Sequence, residues 1–145
     1  YLVEDGAWPG DVDRALEDWG IAIGPFRALD LVGNDIPWGV RRQRAARDLP
    51  PPQPRIGDAL CEAGFHGQKT GRGWYLYDAA TPKGRPYEEL HALVRRESRA
   101  LGITRRRIDT SEILTRCLTA LMTEACCLLD EGRAARASDI DMVYV

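Results

Sequence analysis

Leu2-Val3-Glu4-Asp5-Gly6, followed by Asp11-Val12-Asp13, is echoed near the far end of the chain by Leu128-Leu129-Asp130-Glu131-Gly132, followed by Asp139-Ile140-Asp141. Each string reads as a helix end, an acidic pair, a glycine stop, a short loop and an Asp-apolar-Asp helix start. Glycine takes the positive φ that closes a helix at little cost. Acids favour the positive end of the helix that follows. Two such strings in the same order predict duplicated helical units. Gly6 lies five positions before Asp11, whereas Gly132 lies seven before Asp139, so the duplication is old or one copy carries an insertion.

The rest of the chain reads mostly as helix. Leu2 and Val3 resemble the tail of a helix whose beginning precedes Tyr1, with Gly6 as a left-handed cap. Pro9 opens the next helix, in which Asp11 and Asp13 favour its dipole and Val12, Leu16 and Trp19 recur at helical spacing. Gly24-Pro25 starts a short helix carrying Phe26, Leu29 and Val32, and a charged helix is expected from Pro37 to Asp48. Leu90, Leu93, Val94 and Leu101 mark an amphipathic helix. The longest helix follows, with Asp109 or Thr110 as its cap and Gly132 as its stop. Its wide apolar face runs through Ile113, Leu114, Cys117, Leu118, Leu121, Met122, Ala125, Leu128 and Leu129. Ser138 is a candidate cap for a last helix carrying Ile140 and Val143, which stops in mid-pattern at Val145. Two stretches read as linkers, Pro50-Pro51-Pro52-Gln53-Pro54 and Thr81-Pro82-Lys83-Gly84-Arg85-Pro86.

Composition narrows the functional classes. The chain has 145 residues, 44% of them hydrophobic, with a net charge of -2. That charge, with no basic stripe among aromatics, argues against nucleic acid. No apolar run approaches the ~18 residues that span a bilayer, and no signal peptide is visible. The four cysteines, Cys61, Cys117, Cys126 and Cys127, form no C-x-x-C pair. They are expected in core packing, in a reduced, intracellular protein. Arg41, Arg42, Arg44 and Arg47 read as a solvated helical face rather than an anion site. His66 and His91 match no metal spacing and no triad.

Gly67-Gln68-Lys69-Thr70-Gly71-Arg72-Gly73 clusters glycine, lysine and threonine, yet Gln68 precedes Lys69, and Trp74-Tyr75-Leu76-Tyr77 follows as an extended segment. A phosphate loop needs Gly-Lys-Ser/Thr leading into a helix. The string therefore reads as a tight turn that anchors aromatic side chains on the helices.

Three strings, taken together, resemble the C-terminal region of 3-hydroxyacyl-CoA dehydrogenases of fatty-acid β-oxidation, in particular the multifunctional kind fused to an enoyl-CoA hydratase. They are Glu4-Asp5-Gly6 through Asp11-Val12-Asp13-Arg14-Ala15-Leu16, Gly24-Pro25-Phe26 and Asp30-Leu31-Val32-Gly33-Asn34-Asp35; then Gly67 through Tyr77; then Glu124-Ala125 through Asp139-Ile140-Asp141. The resemblance implies an all-α fold of the 6-phosphogluconate dehydrogenase C-terminal-like type in partial tandem duplication. A first domain over 1–78 lacks its N-terminal helix, 79–86 is a linker, and 87–145 is the truncated start of a second domain.

The resemblance further implies an NAD-dependent parent whose Rossmann domain, catalytic histidine and partner glutamate lie upstream. No family catalytic residue, cofactor-binding residue or metal ligand then falls on a position here, and the chain alone is expected to be inactive and to bind no NAD. It implies a substrate-cleft role for Gly24, Pro25 and Phe26, set against a core role for Phe26. In the glycine-rich string, read first as a turn, Lys69 or Arg72 is a secondary candidate to face the acyl-CoA cleft. The implied partners are acyl-CoA, the chain's own Rossmann domain and a second copy in a homo-oligomer. The implied location is the cytoplasm in a bacterium or the peroxisome in a eukaryote. The alternative is a non-catalytic helical interaction module.

Overall fold

The computed structural model describes residues 1–47 and 55–142. The expected break at Pro50–Pro54, the Asp48 end of the charged helix, and Val143 and Val145 lie outside the described residues. In chain order come α1 (Leu2–Asp5), α2 (Pro9–Trp19), α3 (Pro25–Val32), α4 (Asp35–Ala45) and α5 (Arg55–Glu62), then a 3-10 turn (Gln68–Thr70). The hairpin strands β1 (Leu76–Asp78) and β2 (Thr81–Arg85) follow, then α6 (Glu88–Ala100), α7 (Thr110–Asp130) and α8 (Ala137–Asp141). The chain forms two compact units, Tyr1–Ile108 and Asp109–Val145.

In the first unit α5 packs on α6 and α4, α1 packs on α6, and α2 packs on α3. Val3, Ile56, Leu60, Trp74, Tyr75, Tyr87, Leu90, Leu93 and Val94 make the core, with Phe26 and Leu29 against it. Cys61 joins the buried set, and burial pushes its thiol up to about 11.

Distant side chains satisfy the orphan groups at several helix ends, which otherwise lack partners. The buried Glu4 carboxylate accepts the Arg55 amide at the start of α5 at 2.9 Å. Arg105 serves the opposite end of α1. Its guanidinium donates to the carbonyls of Val3, Gly6 and Ala7, the last two at 3.1 and 3.2 Å. It also lies 4.5 Å over the Trp8 ring.

The most heavily used group is Asp30, on α3. Its Oδ1 accepts Asn34 Nδ2 at 2.7 Å and the Trp74 amide at 2.9 Å. Its Oδ2 accepts the Tyr75 amide at 3.0 Å and the Tyr77 hydroxyl at 2.9 Å. Asn34 Oδ1 in turn accepts the Trp74 indole N–H at 2.8 Å. The glycine-rich string thus wraps around one buried carboxylate. A Cβ on Gly73 would fall on Asp30 Oδ1, and one on Gly67, where φ is 105°, on the Asp30 carbonyl oxygen. Burial raises the Asp30 carboxyl above its ordinary value, and its four donors pull the other way.

Several expectations need correction. Thr81–Arg85, read as a linker, is β2, antiparallel to β1. Asp78 Oδ1 closes the turn by accepting the amides of Ala80 and Thr81 at 3.0 and 2.8 Å, and Pro82 is tolerated because the sheet has only two strands. The charged helix expected from about Pro37 is present as α4, Asp35–Ala45. Gly6 has positive φ, 150°, but with ψ of -17° it is not in the left-handed helical region. α8 is capped by Asp139, whose Oδ2 accepts the Arg136 amide at 3.1 Å, rather than by Ser138. Cys126 and Cys127 are exposed rather than in the core, and Cys117 is half-buried. The apolar stripe of α7 leaves Leu121 and Met122 45% and 69% exposed.

The expected cap of α7 is present, with Asp109 Oδ1 accepting the Glu112 amide at 2.8 Å. The echo between the chain's ends also has a structural register. Asp11 and Asp13 are the third and fifth residues of α2, and Asp139 and Asp141 the third and fifth of α8. Each helix follows an extended N-cap residue, Trp8 or Arg136.

Replacing Asp30 by Asn turns one acceptor into a donor facing buried N–H or O–H groups. Asp30→Asn is expected to lower the unfolding free energy by about 2–4 kcal/mol. Urea denaturation measures it, and a loss below about 0.5 kcal/mol, the range of ordinary surface changes, contradicts the hub role.

Candidate functional site

Gly24-Pro25-Phe26 forms the N-terminal turn of α3, and two carboxylates from α2 hold it. Asp13 and Glu17 stand four residues apart and so share one face of α2. Asp13 Oδ1 accepts the Phe26 amide at 2.9 Å, and Oδ2 accepts the Arg27 amide at 3.1 Å. Glu17 Oε1 accepts the Gly24 amide at 2.8 Å. Pro25, the first helical residue, has no N–H to satisfy. The α3 N-terminus, whose partial positive charge favours anions, is thus neutralised by acids of another helix.

Arg27 completes the arrangement. Its Nη1 donates to Glu17 Oε1 at 2.7 Å and lies 3.8 Å from Asp13 Oδ2. Its guanidinium sits 5.0 Å over the Tyr75 ring. The Tyr75 hydroxyl donates to Asp13 Oδ2 at 2.6 Å while its amide donates to Asp30. One tyrosine therefore ties the two buried aspartates together. Burial raises the Asp13 carboxyl, opposed by the Tyr75 hydroxyl, the two amides and Arg27. Burial and the bond to Asp13 push the Tyr75 phenol far up, so it stays protonated and donating. Gly24 has no alternative, since a Cβ there would overlap the Asp13 side chain.

Of the five candidate cleft residues, the structure brings Gly24, Pro25 and Phe26 into this one turn. Phe26 is half-buried, its ring 4.6 Å from that of Trp74. Lys69 lies past the other end of α3, where its Nζ meets Asp35 Oδ1 at 2.5 Å and holds that carboxyl below the usual range. α3 has eight residues, about 12 Å of helix. Arg72 places its guanidinium 5.3 Å over the Phe65 ring.

The sequence reading missed Glu17, Asp30, Asn34 and Tyr75 as the groups that organise this region, and it assigned Asp13 to its own helix dipole. The signal available was the repeated four-residue spacing, Asp13 with Glu17 on α2 and Asp30 on α3 with Asn34 just past its end. Outside the region, the His91 ring lies 4.2 Å from that of Trp8 at a tilt of 41°, and Arg41 pairs with Asp58 at 2.6 Å.

The glycine-rich segment does not fit a dinucleotide. The Gly67 amide donates to the Arg72 carbonyl and the Gly73 amide to the Tyr75 carbonyl, both at 2.9 Å. The Trp74 and Tyr75 amides are taken by Asp30. A pyrophosphate cradle needs such amides free. Among the described residues, no three His, Cys, Asp or Glu side chains gather as a metal site, and no helix is long and apolar enough to cross a membrane.

Comparison with known proteins places this architecture. The family described as "3-hydroxyacyl-CoA dehydrogenase, C-terminal domain" matches residues 1–77. The peroxisomal bifunctional enzyme of Homo sapiens is 41% identical over an alignment 164 positions long, gaps included, covering all of this chain and 22% of that protein. That of Danio rerio is 38% identical over 158, again covering the whole chain and 22% of the relative. The glyoxysomal fatty acid beta-oxidation multifunctional protein of Cucumis sativus is 29% identical over 153, covering 99% of the chain and 20% of the relative. The chain thus spans about a fifth of the length of these relatives. The crystal structure of the dehydrogenase part of multifunctional enzyme 1 from C. elegans shares the fold, with a TM-score of 0.74 at 22% identity over 99% of this chain and 31% of that one. With more than half of its residues matched, the chain belongs to the 3-hydroxyacyl-CoA dehydrogenase family, through its C-terminal domain.

Proposed function

We propose that this chain is the substrate-cleft and dimerisation region of an NAD-dependent (3S)-3-hydroxyacyl-CoA dehydrogenase of fatty-acid β-oxidation, in a parent that also carries an enoyl-CoA hydratase. The observation that carries the reading is the family match over residues 1–77, on a chain whose glycine-rich amides are consumed by its own backbone and by Asp30. A region of this kind shapes and shields a reaction performed elsewhere. NAD belongs to the parent's Rossmann domain, acyl-CoA reaches this chain as the parent's substrate, and the chain alone is silent. The relatives are named as peroxisomal or glyoxysomal, which supports a peroxisomal parent in a eukaryote, with the cytoplasm as the counterpart in a bacterium.

In this reading the Gly24-Pro25-Phe26 turn stands beside the acyl chain, with Lys69 and Arg72 at the margin of the cleft. The half-exposed Phe26 and its position on a rigidly capped turn support the first assignment. The exposure of the Lys69 side chain, 49% even while paired with Asp35, supports the second. The proposal includes a first domain over 1–78, a joining stretch over 79–86 and the start of a second domain over 87–145. The end of the family match at residue 77 and the register shared by α2 and α8 support that division, while α6 packs into the core of the first compact unit, which runs to Ile108.

The direct test is NADH-dependent reduction of acetoacetyl-CoA by this chain and by a longer chain extended upstream. Turnover by the long chain with silence from the short one is expected. Turnover by the short chain contradicts the placement of the chemistry, and silence from both favours a helical interaction module. Self-association is the second expected outcome. Leu31 and Val32 on α3 are 62% and 60% exposed, Ile36 and Val40 on α4 are also exposed, and α7 adds Leu121 and Met122. Apolar surface of this extent seeks a partner. Light scattering at micromolar concentration is expected to report a dimer or larger species, and a clean monomer contradicts it.

A further inference from the structure

Residues 103–109 carry no helix or strand and hold three arginines in a row, Arg105-Arg106-Arg107, the last two with exposed side chains. An exposed coil is where proteolysis concentrates, so by composition this run is an early target for a trypsin-like protease. The geometry says otherwise. The Ile103 amide donates to the Ser98 carbonyl and the Arg106 amide to the Asp5 carbonyl, both at 2.9 Å. A Cβ on Gly6 would fall on the Arg106 carbonyl oxygen, so the segment lies directly on the end of α1. Ile108 closes the segment and is buried in the first unit. Only Asp109 separates it from Thr110, the first residue of α7.

Arg105 joins the two passages of chain. Its Nη1 donates to the Val3 carbonyl and to the buried Ser98 hydroxyl, the latter at 3.3 Å. Its Nη2 donates to the carbonyls of Gly6 and Ala7 at 3.1 and 3.2 Å. Ser98 Oγ in turn donates to the Glu4 carbonyl at 3.0 Å. The Trp8 ring lies against the guanidinium, 4.5 Å away. The carbonyls at a helix end favour a cation, and hydrogen bonds from a charged donor are the stronger kind. One side chain thus fastens a coil segment to the helix end beside it.

We infer that residues 103–108 form a strap latched by Arg105 onto the end of α1, and that the latch closes the Arg105-Arg106-Arg107 run to trypsin-like proteases. When the guanidinium is lost the strap opens by itself, without unfolding of the helices. Hydrolysis of a peptide bond in a folded protein follows the population of the locally open segment, so the cleavage rate reads the latch directly. The inference is independent of the proposed function.

The test is limited trypsin digestion of this chain, with the fragments followed by mass spectrometry. A synthetic peptide of residues 101–110 serves as the open reference. Cleavage after Arg106 and Arg107 is expected to be about 100-fold slower in the chain than in the peptide. Arg105→Leu removes the latch and keeps the other two arginines. Cleavage after them is then expected to rise about tenfold, the worth of one charged hydrogen bond, while cleavage after Arg14, within α2, stays within about twofold. Ser98→Ala removes one acceptor of the guanidinium and the bond to the Glu4 carbonyl while keeping every charge. It is expected to raise the same cleavage about fivefold, and it decides the question if Arg105→Leu does not fold. Cleavage of the unsubstituted chain as fast as of the peptide overturns the inference. So does a folded variant whose rate after Arg106 and Arg107 is unchanged, or rises no more than its rate after Arg14.

Discussion

The Asp30 carboxylate is the constraint on which the first unit depends. A buried charge is tolerated only where hydrogen bonds replace the water it has lost. Here two backbone amides, a carboxamide and a phenol do so. Their convergence dictates the rest. The glycines at 67 and 73 exist because the chain must close on the carboxylate without side chains in the way. Trp74 and Tyr75 enter the core because their amides are fixed to Asp30, and Tyr87 then joins them by donating to the Gly73 carbonyl at 2.6 Å. The second aspartate, Asp13, is reached through the Tyr75 hydroxyl, so α2, α3 and the glycine-rich segment share one polar framework inside an apolar core.

The same economy recurs at three helix ends. With four to eleven residues, α1 to α5 are below the length at which helices persist alone. Glu4 serves the start of α5, Asp13 and Glu17 the start of α3, and Arg105 the end of α1. In each case the capping group comes from a different element, so the bond that completes one helix also positions it against another. Local stability and tertiary arrangement are therefore the same set of interactions.

The helical class, the order of most helices, the Asp109 cap and the echo between α2 and α8 were legible because each depends on neighbours a few positions apart. The family resemblance rested on strings now seen to be largely framework: Asp13, Asp30, Asn34 and Gly67 through Tyr77 are bonded to one another. What could not be read was the pairing. The Trp74 amide meets Asp30 across 44 positions, and nothing local in either residue announces the other. Asp13 looked like a dipole partner of α2 because periodicity gives a residue's face but not which helix end that face meets. Likewise the stripe of α7 told which side is apolar and not whether anything covers it, and Leu121 and Met122 are exposed. The strand at Thr81–Arg85 was hidden by its proline and depends on the side-chain turn at Asp78.

The buried carboxylates and the glycines of the first unit thus build one internal polar framework. Native-state amide hydrogen exchange tests that central claim most directly. Amides held by buried carboxylates open only when the unit itself unfolds. The Phe26, Arg27, Trp74 and Tyr75 amides, although they lie at a helix start or in a loop, are expected to exchange as slowly as the amides of Leu60 and Val94 in the core helices. Exchange of those four at the rate of exposed loop amides would contradict it.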